Sequence, residues 1–316
     1  MKKPRVCRII PTPSMSRKNT IFALLAIIGI FGLFGAFITR SKPMPDRPFL
    51  HSEHPLNIAH RGASRLAPEN TLKSFETALD SGADVLELDV HLTREGETVV
   101  CHDARVDRTT DGHGLIEETS FEDLRALDAG YHFTPDHGQT YPYRGQGIRI
   151  PAFREVLERF PDTRVNVELK TPDFALAEAV WEIIQNTGAQ ERIVVASFHH
   201  EALCHFRSIS AGSVVTSASP NEVKTFYTLL KLGLAGWYRP NFYAFQVPEY
   251  HDKLQVVTPR FIRMAHAKNI HIHVYDADDR ETMQRLLSMG VDGIITDLPD
   301  LFTETLERIH SLPDAG

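Results

Sequence analysis

From residue 54 onward the chain alternates short β-like runs with helical patterns, and this alternation limits its fold more than any other feature. The runs cover 56–60, 84–90, 98–103, 164–170, 192–198, 212–217, 243–248, 271–276 and 292–297. Between them, Leu72, Phe75 and Leu79 share a helix face, with Asn70 as the expected N-cap and Gly82 as the stop. Phe153, Val156, Leu157 and Phe160 form a second stripe. Thr258 and Pro259 open another helix, and Met283, Leu286 and Leu287 ahead of Gly290 mark one more. Alternation sustained over residues 54–312 predicts an α/β domain with a parallel sheet, closed as one (β/α)8 barrel. Nine candidate strands compete for eight places, so one must be peripheral. Residues 104–150, rich in Gly, Asp, His and Tyr, break the rhythm and read as a small insertion on one face.

The N-terminal part has a different composition. Residues 21–38 are an uncharged apolar run just long enough to cross a bilayer core. Ahead of it lie Lys2, Lys3, Arg5, Arg8, Arg17 and Lys18 without an acid among them. That asymmetry predicts a basic cytoplasmic tail (1–20), a signal anchor (21–38) and an exported catalytic domain, periplasmic or extracellular in a bacterium. A cleaved signal peptide should have a shorter apolar region and small residues at a cleavage site, which 35–43 does not offer. Residues 39–53, with Pro43, Pro45 and Pro48, read as a linker. A formal charge of −7 gives no reason to expect nucleic acid as a partner. Cys7, Cys101 and Cys204 are too few and too scattered for a disulfide framework or a zinc site.

Alternate residues of a strand share a face, and the outside of a barrel must be apolar to receive its helices. In 84–90 this sends Leu86, Leu88 and Val90 outward and turns Glu87 and Asp89 inward. In 166–170 it sends Val167 and Leu169 outward, leaving Asn166, Glu168 and Lys170 inside. In 99–103 it sets Val100 and His102 opposite Cys101. Barrel enzymes draw catalytic residues from the C-terminal ends of strands, where His60, Glu87, Asp89, His102, Glu168 and Lys170 all fall. Three inward carboxylates repel unless protonated or bridged, and an all-oxygen set suits Ca²⁺ or Mg²⁺ better than zinc. Two histidines beside such a cation, with Arg61 and Lys170 nearby, suit phosphoryl transfer. His199, His200, His271 and His273 have no assignable carboxylate partner and read as structural.

In family order, these residues resemble glycerophosphodiester phosphodiesterases. The matching motifs are H-R-G and E-N-T (His60–Gly62, Glu69–Thr71), E-L-D-V (Glu87–Val90) and H-D with R-T-T (His102, Asp103, Arg108–Thr110). They continue with E-L-K (Glu168–Lys170), S-F (Ser197, Phe198) and G-I-I-T-D-x-P (Gly293–Pro299). The resemblance implies a barrel of the phosphatidylinositol-phospholipase type and one divalent cation on Glu87, Asp89 and Glu168. It implies that His60 and His102 are the acid–base pair, with His102 also a possible metal ligand. Arg61 and Lys170 would hold the phosphate, while Glu69 and Asn70 line the same site, Asn70 also capping its helix. Relatives carry a tryptophan and an asparagine where this chain has Tyr275 and Asp278; Tyr275 still offers an aromatic wall for substrate.

The family's chemistry lets the substrate's 2-hydroxyl attack phosphorus, forming a cyclic phosphate that water then opens. The implied substrates are glycerophosphodiesters or lysophospholipids, the products a head-group alcohol with glycerol 3-phosphate or lysophosphatidic acid. The aromatic and apolar stretch 226–250 is either an acyl-chain groove near the mouth or ordinary barrel core. Together with the anchor it resembles the membrane-tethered lysophospholipase-D branch. Two other readings stand: a non-catalytic tethered binding protein on the same barrel, and a metal-independent phosphoinositide-type cyclising lyase.

Overall fold

The computed structural model describes residues 41–311. The expected basic tail and membrane span at 21–38 lie outside the described residues. Among the described residues no helix is long and apolar enough to cross a membrane. Strand β1 (Leu56–Ala59) is followed by α1 (Leu72–Asp80), β2 (Val85–Leu92), β3 (Thr98–Val100), α2 (Phe121–Ala126) and α3 (Phe153–Arg159). Next come β4 (Arg164–Leu169), α4 (Phe174–Asn186), β5 (Ile193–Ala196), α5 (His200–Ile209), β6 (Val215–Thr216) and α6 (Pro220–Lys231). The chain ends with β7 (Ala244–Pro248), the hairpin β8 (Tyr250–His251) and β9 (Leu254–Gln255), α7 (Pro259–His266), β10 (His271–Tyr275), α8 (Arg280–Met289), β11 (Gly293–Thr296) and α9 (Pro299–Ser311).

The strands run side by side in the order β6, β5, β4, β2, β1, β11, β10, β7, all parallel. A parallel bridge between Ser217 and Ala244 joins the two ends and closes the barrel. The peripheral candidate is the run at 98–103. Its strand ends at Val100 and pairs antiparallel with β2. His102 therefore does not stand at the end of a barrel strand, and the inward–outward alternation expected there does not place it. A hairpin back from β2 delivers it instead.

Elsewhere the period-two reading describes the faces correctly. Leu86, Leu88, Val90, Val167 and Leu169 are buried against the surrounding helices, with Phe75, Phe153, Val156 and Val180 among the partners. Segment 226–250 supplies mainly core, with Leu232 and Tyr250 exposed. Phe226, Phe242 and Phe245 are fully buried; Phe226 and Phe245 meet Phe261 at ring separations of 5.4 and 5.0 Å, and Phe242 meets Phe245 at 5.0 Å. The helix ahead of β2 is capped by Thr71, whose hydroxyl accepts from Ser74 N at 3.2 Å, and not by Asn70. Thr258 and the left-handed Gly290 begin and end their helices as expected.

Of the stretch 39–53, expected as a linker, the described residues 41–53 contribute to the core. A short 3₁₀ turn at Pro48–Leu50 buries Phe49 and Leu50 against Leu56, Val85, Val194, Val215 and Tyr243. These residues begin their strands or lie close to the start, so Phe49 stops the N-terminal end of the barrel. Arg47 holds the plug, donating to Tyr243 Oη at 2.9 Å and to the Gly212 carbonyl at 2.6 Å. Proline spacing marked a break in regular structure here, yet two apolar side chains in mid-stretch had a cavity to fill. Phe49→Ala is expected to cost about 3–5 kcal/mol, measured by urea unfolding, because a fully buried aromatic leaves a cavity behind.

Candidate active site

The C-terminal ends of β1, β2 and β4 meet at one point. Glu87, Asp89 and Glu168 each present a carboxylate oxygen within 4.8 Å of the others, the first two fully buried. Register explains the meeting, since Glu87 lies beside Asn166 and Asp89 beside Glu168 on adjacent parallel strands. Asn70 does not cap a helix; its amide donates to Asp89 Oδ2 at 2.9 Å and its carbonyl accepts from Asp89 N. Arg61 N donates to Glu87 Oε2 at 2.8 Å, and Arg61 Nε lies 3.4 Å from Asp89 Oδ2. Lys170 Nζ bridges Asp89 Oδ1 at 3.3 Å and Glu168 Oε1 at 3.1 Å. Both Arg61 and Asn70 have positive φ, at 53° and 56°. Such left-handed conformations are unfavourable for residues other than glycine and persist where surrounding structure over-determines them. Gly62, between them in the turn, has no room for a side chain because a Cβ would come within 2.7 Å of the Ser74 backbone.

Burial and the neighbouring charge of Asp89 push Glu87 up to about 8, and the same causes raise Glu168. The three crowded carboxylates have Arg61, Lys170 and the His60 ring beside them, with Arg61 shared with Glu69. Their all-oxygen donor set, spanning less than 5 Å, fits a hard divalent cation.

The two histidines are shifted in opposite directions. Burial pulls His60 down, but Nδ1 donates to Asp297 Oδ1 at 2.8 Å, and with the Glu87 charge this lifts the ring to about 9. Burial lowers His102 below the ordinary histidine range, with Arg61 and Lys170 adding to the effect against Asp89 and Asp103. His102 Nδ1 lies 2.7 Å from Asp103 Oδ1, and its carbonyl accepts from His91 Nε2 at 3.1 Å. Tyr275 is on the inner face of β10; burial first, then the charges of Asp276 and Glu168, push its phenol up to about 12. Glu69 pairs with Arg61 at 3.0 Å. Each candidate residue thus falls in or beside one cluster.

Three contributors went unassigned in the sequence. Asp297 orients His60 and also accepts from Ser64 Oγ at 2.7 Å. It directly follows β11, so the strand-end rule that found Glu168 applies to it equally. Asp103 and Arg108 were visible as motif residues without a role. Of the histidines taken as structural, His200 contacts Ser219 Oγ at 2.7 Å and His199 the Lys170 carbonyl at 3.2 Å. His273 is fully buried beside Gly293. His271 does have a carboxylate neighbour, Asp292, at 3.8 Å, but on the opposite end of the barrel.

Residues 60–301 match the glycerophosphoryl diester phosphodiesterase family. A glycerophosphodiester phosphodiesterase of Caldanaerobacter subterraneus is 34% identical over 263 residues, 80% of this chain and 98% of the relative. Lysophospholipase D of Rattus norvegicus is 24% identical over 282 residues, covering 81% and 87% of the two chains. Among solved structures, a phosphodiesterase of Oleispira antarctica in complex with its product sn-glycerol-3-phosphate is 25% identical. It superposes with a TM-score of 0.65 over 79% of this chain and 96% of that one. With this match over most of its length and a site assembled from the matching motifs, the chain belongs to the glycerophosphoryl diester phosphodiesterase family.

Proposed function

We propose that this phosphoric diester hydrolase cleaves glycerophosphodiesters to a free alcohol and glycerol 3-phosphate, using one Ca²⁺ or Mg²⁺ ion and acid–base catalysis by His60 and His102. The observation that carries the reading is the pair of oppositely shifted histidines flanking a three-carboxylate cluster. Environments that drive two titratable groups apart mark the acid and the base. His102, neutral at physiological pH, takes the proton of the substrate's 2-hydroxyl as that oxygen attacks phosphorus. His60, charged and aimed by Asp297, delivers a proton to the departing alcohol oxygen. Arg61 and Lys170 neutralise the non-bridging oxygens as charge builds on them. A nucleophile within the substrate spares the entropy of bringing in water, which enters only to open the cyclic phosphate with the two histidines exchanging roles. A divalent cation held by Glu87, Asp89 and Glu168 supplies Lewis-acid polarisation of the phosphoryl group.

A complete acid–base and carboxylate set argues against a non-catalytic binding protein, and the carboxylates argue against a metal-independent lyase. A second reading, cleavage of lysophospholipids to lysophosphatidic acid at a membrane reached through the expected anchor, draws support from exposed apolar side chains. Phe174 at the start of α4, Phe198 after β5 and Tyr250 in the β8–β9 hairpin after β7 are 47%, 59% and 53% exposed at the catalytic end. Parallel assays with glycerophosphocholine and lysophosphatidylcholine separate the two. Glycerol 3-phosphate release is expected with Ca²⁺ or Mg²⁺ and none in excess EDTA; full turnover in EDTA would overturn the metal assignment.

A further inference from the structure

Arg108, from the R-T-T motif, has no part in the chemistry above, yet its guanidinium joins two halves of the site. Nε donates to Asp103 Oδ2 at 2.6 Å, while Nη1 and Nη2 donate to Glu69 Oε2 and Oε1 at 2.6 and 2.7 Å. The other oxygen of Asp103 contacts His102 Nδ1 at 2.7 Å, and Glu69 Oε1 also accepts from Arg61 Nη1 at 3.0 Å. One side chain thus closes an unbroken series from His102 through Asp103, Arg108 and Glu69 to Arg61.

An isolated exposed ion pair contributes little, and Arg108 is 48% exposed. Two features set this one apart. The contact to Glu69 is a two-pronged fork with a third charge-assisted bond from the same plane, so geometry is constrained as well as charge. In addition, His102 has no barrel strand beneath it, because β3 ends at Val100. The sheet that aims Glu87, Asp89 and Glu168 cannot aim this ring, and Asp103 can do so only if Asp103 itself is held. Against the cost of its burial, the bonds from Arg108 and His102 hold the Asp103 carboxyl at about 2, keeping it anionic.

We propose that Arg108 is a positioning residue that acts at both ends of the series. Through Asp103 it fixes the His102 ring with Nδ1 protonated and Nε2 open to substrate, and through Glu69 it sets the reach of Arg61 toward phosphate. The proposal rests on His102 being the proton acceptor.

The test uses the full-length protein with Mg²⁺ or Ca²⁺ and glycerophosphocholine as probe. Arg108→Ala is expected to lower kcat on the order of 10- to 100-fold, the usual loss when a partner that orients a functional histidine is removed. KM should change by less than about threefold, since no substrate contact is lost. Arg108→Lys should recover little, because an ammonium cannot span both carboxylates. Low, non-denaturing guanidinium should restore part of the Arg108→Ala rate but none in Asp103→Asn. The double variant should be slower than Asp103→Asn alone only by the part carried through Glu69, so its loss falls well short of the product of the two single losses. A second readout is independent of turnover: ¹⁵N shifts of the His102 imidazole should show Nε2 protonation rising in Arg108→Ala. Additive losses, a loss confined to KM, or an unchanged His102 tautomer would each overturn the proposal. A tautomer shift in a protein that leaves glycerophosphocholine uncut would uphold the positioning role and overturn the substrate reading instead.

Discussion

Glu87→Gln is expected to abolish turnover and, at the same time, to make the metal-free protein more stable near pH 8. The first effect follows from the donor set. Three carboxylate oxygens within 4.8 Å form the proposed cation site, and Gln removes one charge while keeping the acceptor for Arg61 N. Losing several kcal/mol of transition-state charge stabilisation corresponds to a rate decrease of about a thousandfold or more. The second effect follows from linkage. Burial and the charges of Asp89 and Glu168 raise Glu87 from 4.5 to about 8. Between those values the unfolded chain has released the proton and the metal-free folded protein still holds it. Stability is therefore complete below the unfolded value and falls as pH rises toward 8. Gln has no proton to lose and escapes this decline. Thermal unfolding in EDTA at pH 5 and pH 8 should show the variant's advantage at the higher pH alone. A less stable variant at pH 8, or one with wild-type turnover, contradicts the assignment. The same linkage predicts that Ca²⁺ binding to the wild-type protein at pH 7 releases close to one proton.

His60→Ala is expected to lower kcat on glycerophosphocholine by about 10²–10⁴-fold, the range for loss of a general acid. The decisive comparison is the leaving group. A glycerophosphodiester of p-nitrophenol departs without protonation, so His60→Ala should regain most of its rate there, whereas His102→Ala should stay slow on both substrates. If both variants recover, or neither does, the acid and base are wrongly assigned. In the wild-type enzyme activity should fall below the ordinary histidine range as His102 gains a proton. It should fall again near pH 9 as His60 loses one. Asp297→Asn should move the alkaline limb to lower pH, because the hydrogen bond that raises His60 weakens.

The barrel and its carboxylate cluster were legible in the sequence because period-two alternation is a local property. Polar residues at alternate positions, Glu87 and Asp89 in one strand and Asn166, Glu168 and Lys170 in the other, stand among apolar neighbours and have few places to point except inward. His102 was legible as a catalytic candidate, but its support was not. Its run looks like any other strand, and only the antiparallel pairing of Val90 with Val100 shows it to be a hairpin return. Proline spacing likewise marked 39–53 as irregular without showing that Phe49 fills the end of the barrel. The aromatic residues of 226–250 could not be divided between core and surface, since neither composition nor periodicity says which helix face meets Phe261.

By itself, the sequence determined the alternating architecture, the inward carboxylates, and the family to which the ordered motifs belong. Tertiary structure supplied the environments on which the proposed division into acid and base rests. That division depends on Asp297, which lies 237 positions from His60 in sequence and 2.8 Å away in space. It depends as well on how deeply each ring is buried beside which charges. Side-chain direction is set by the local backbone, whereas protonation is set by an electrostatic environment that only the closed barrel assembles.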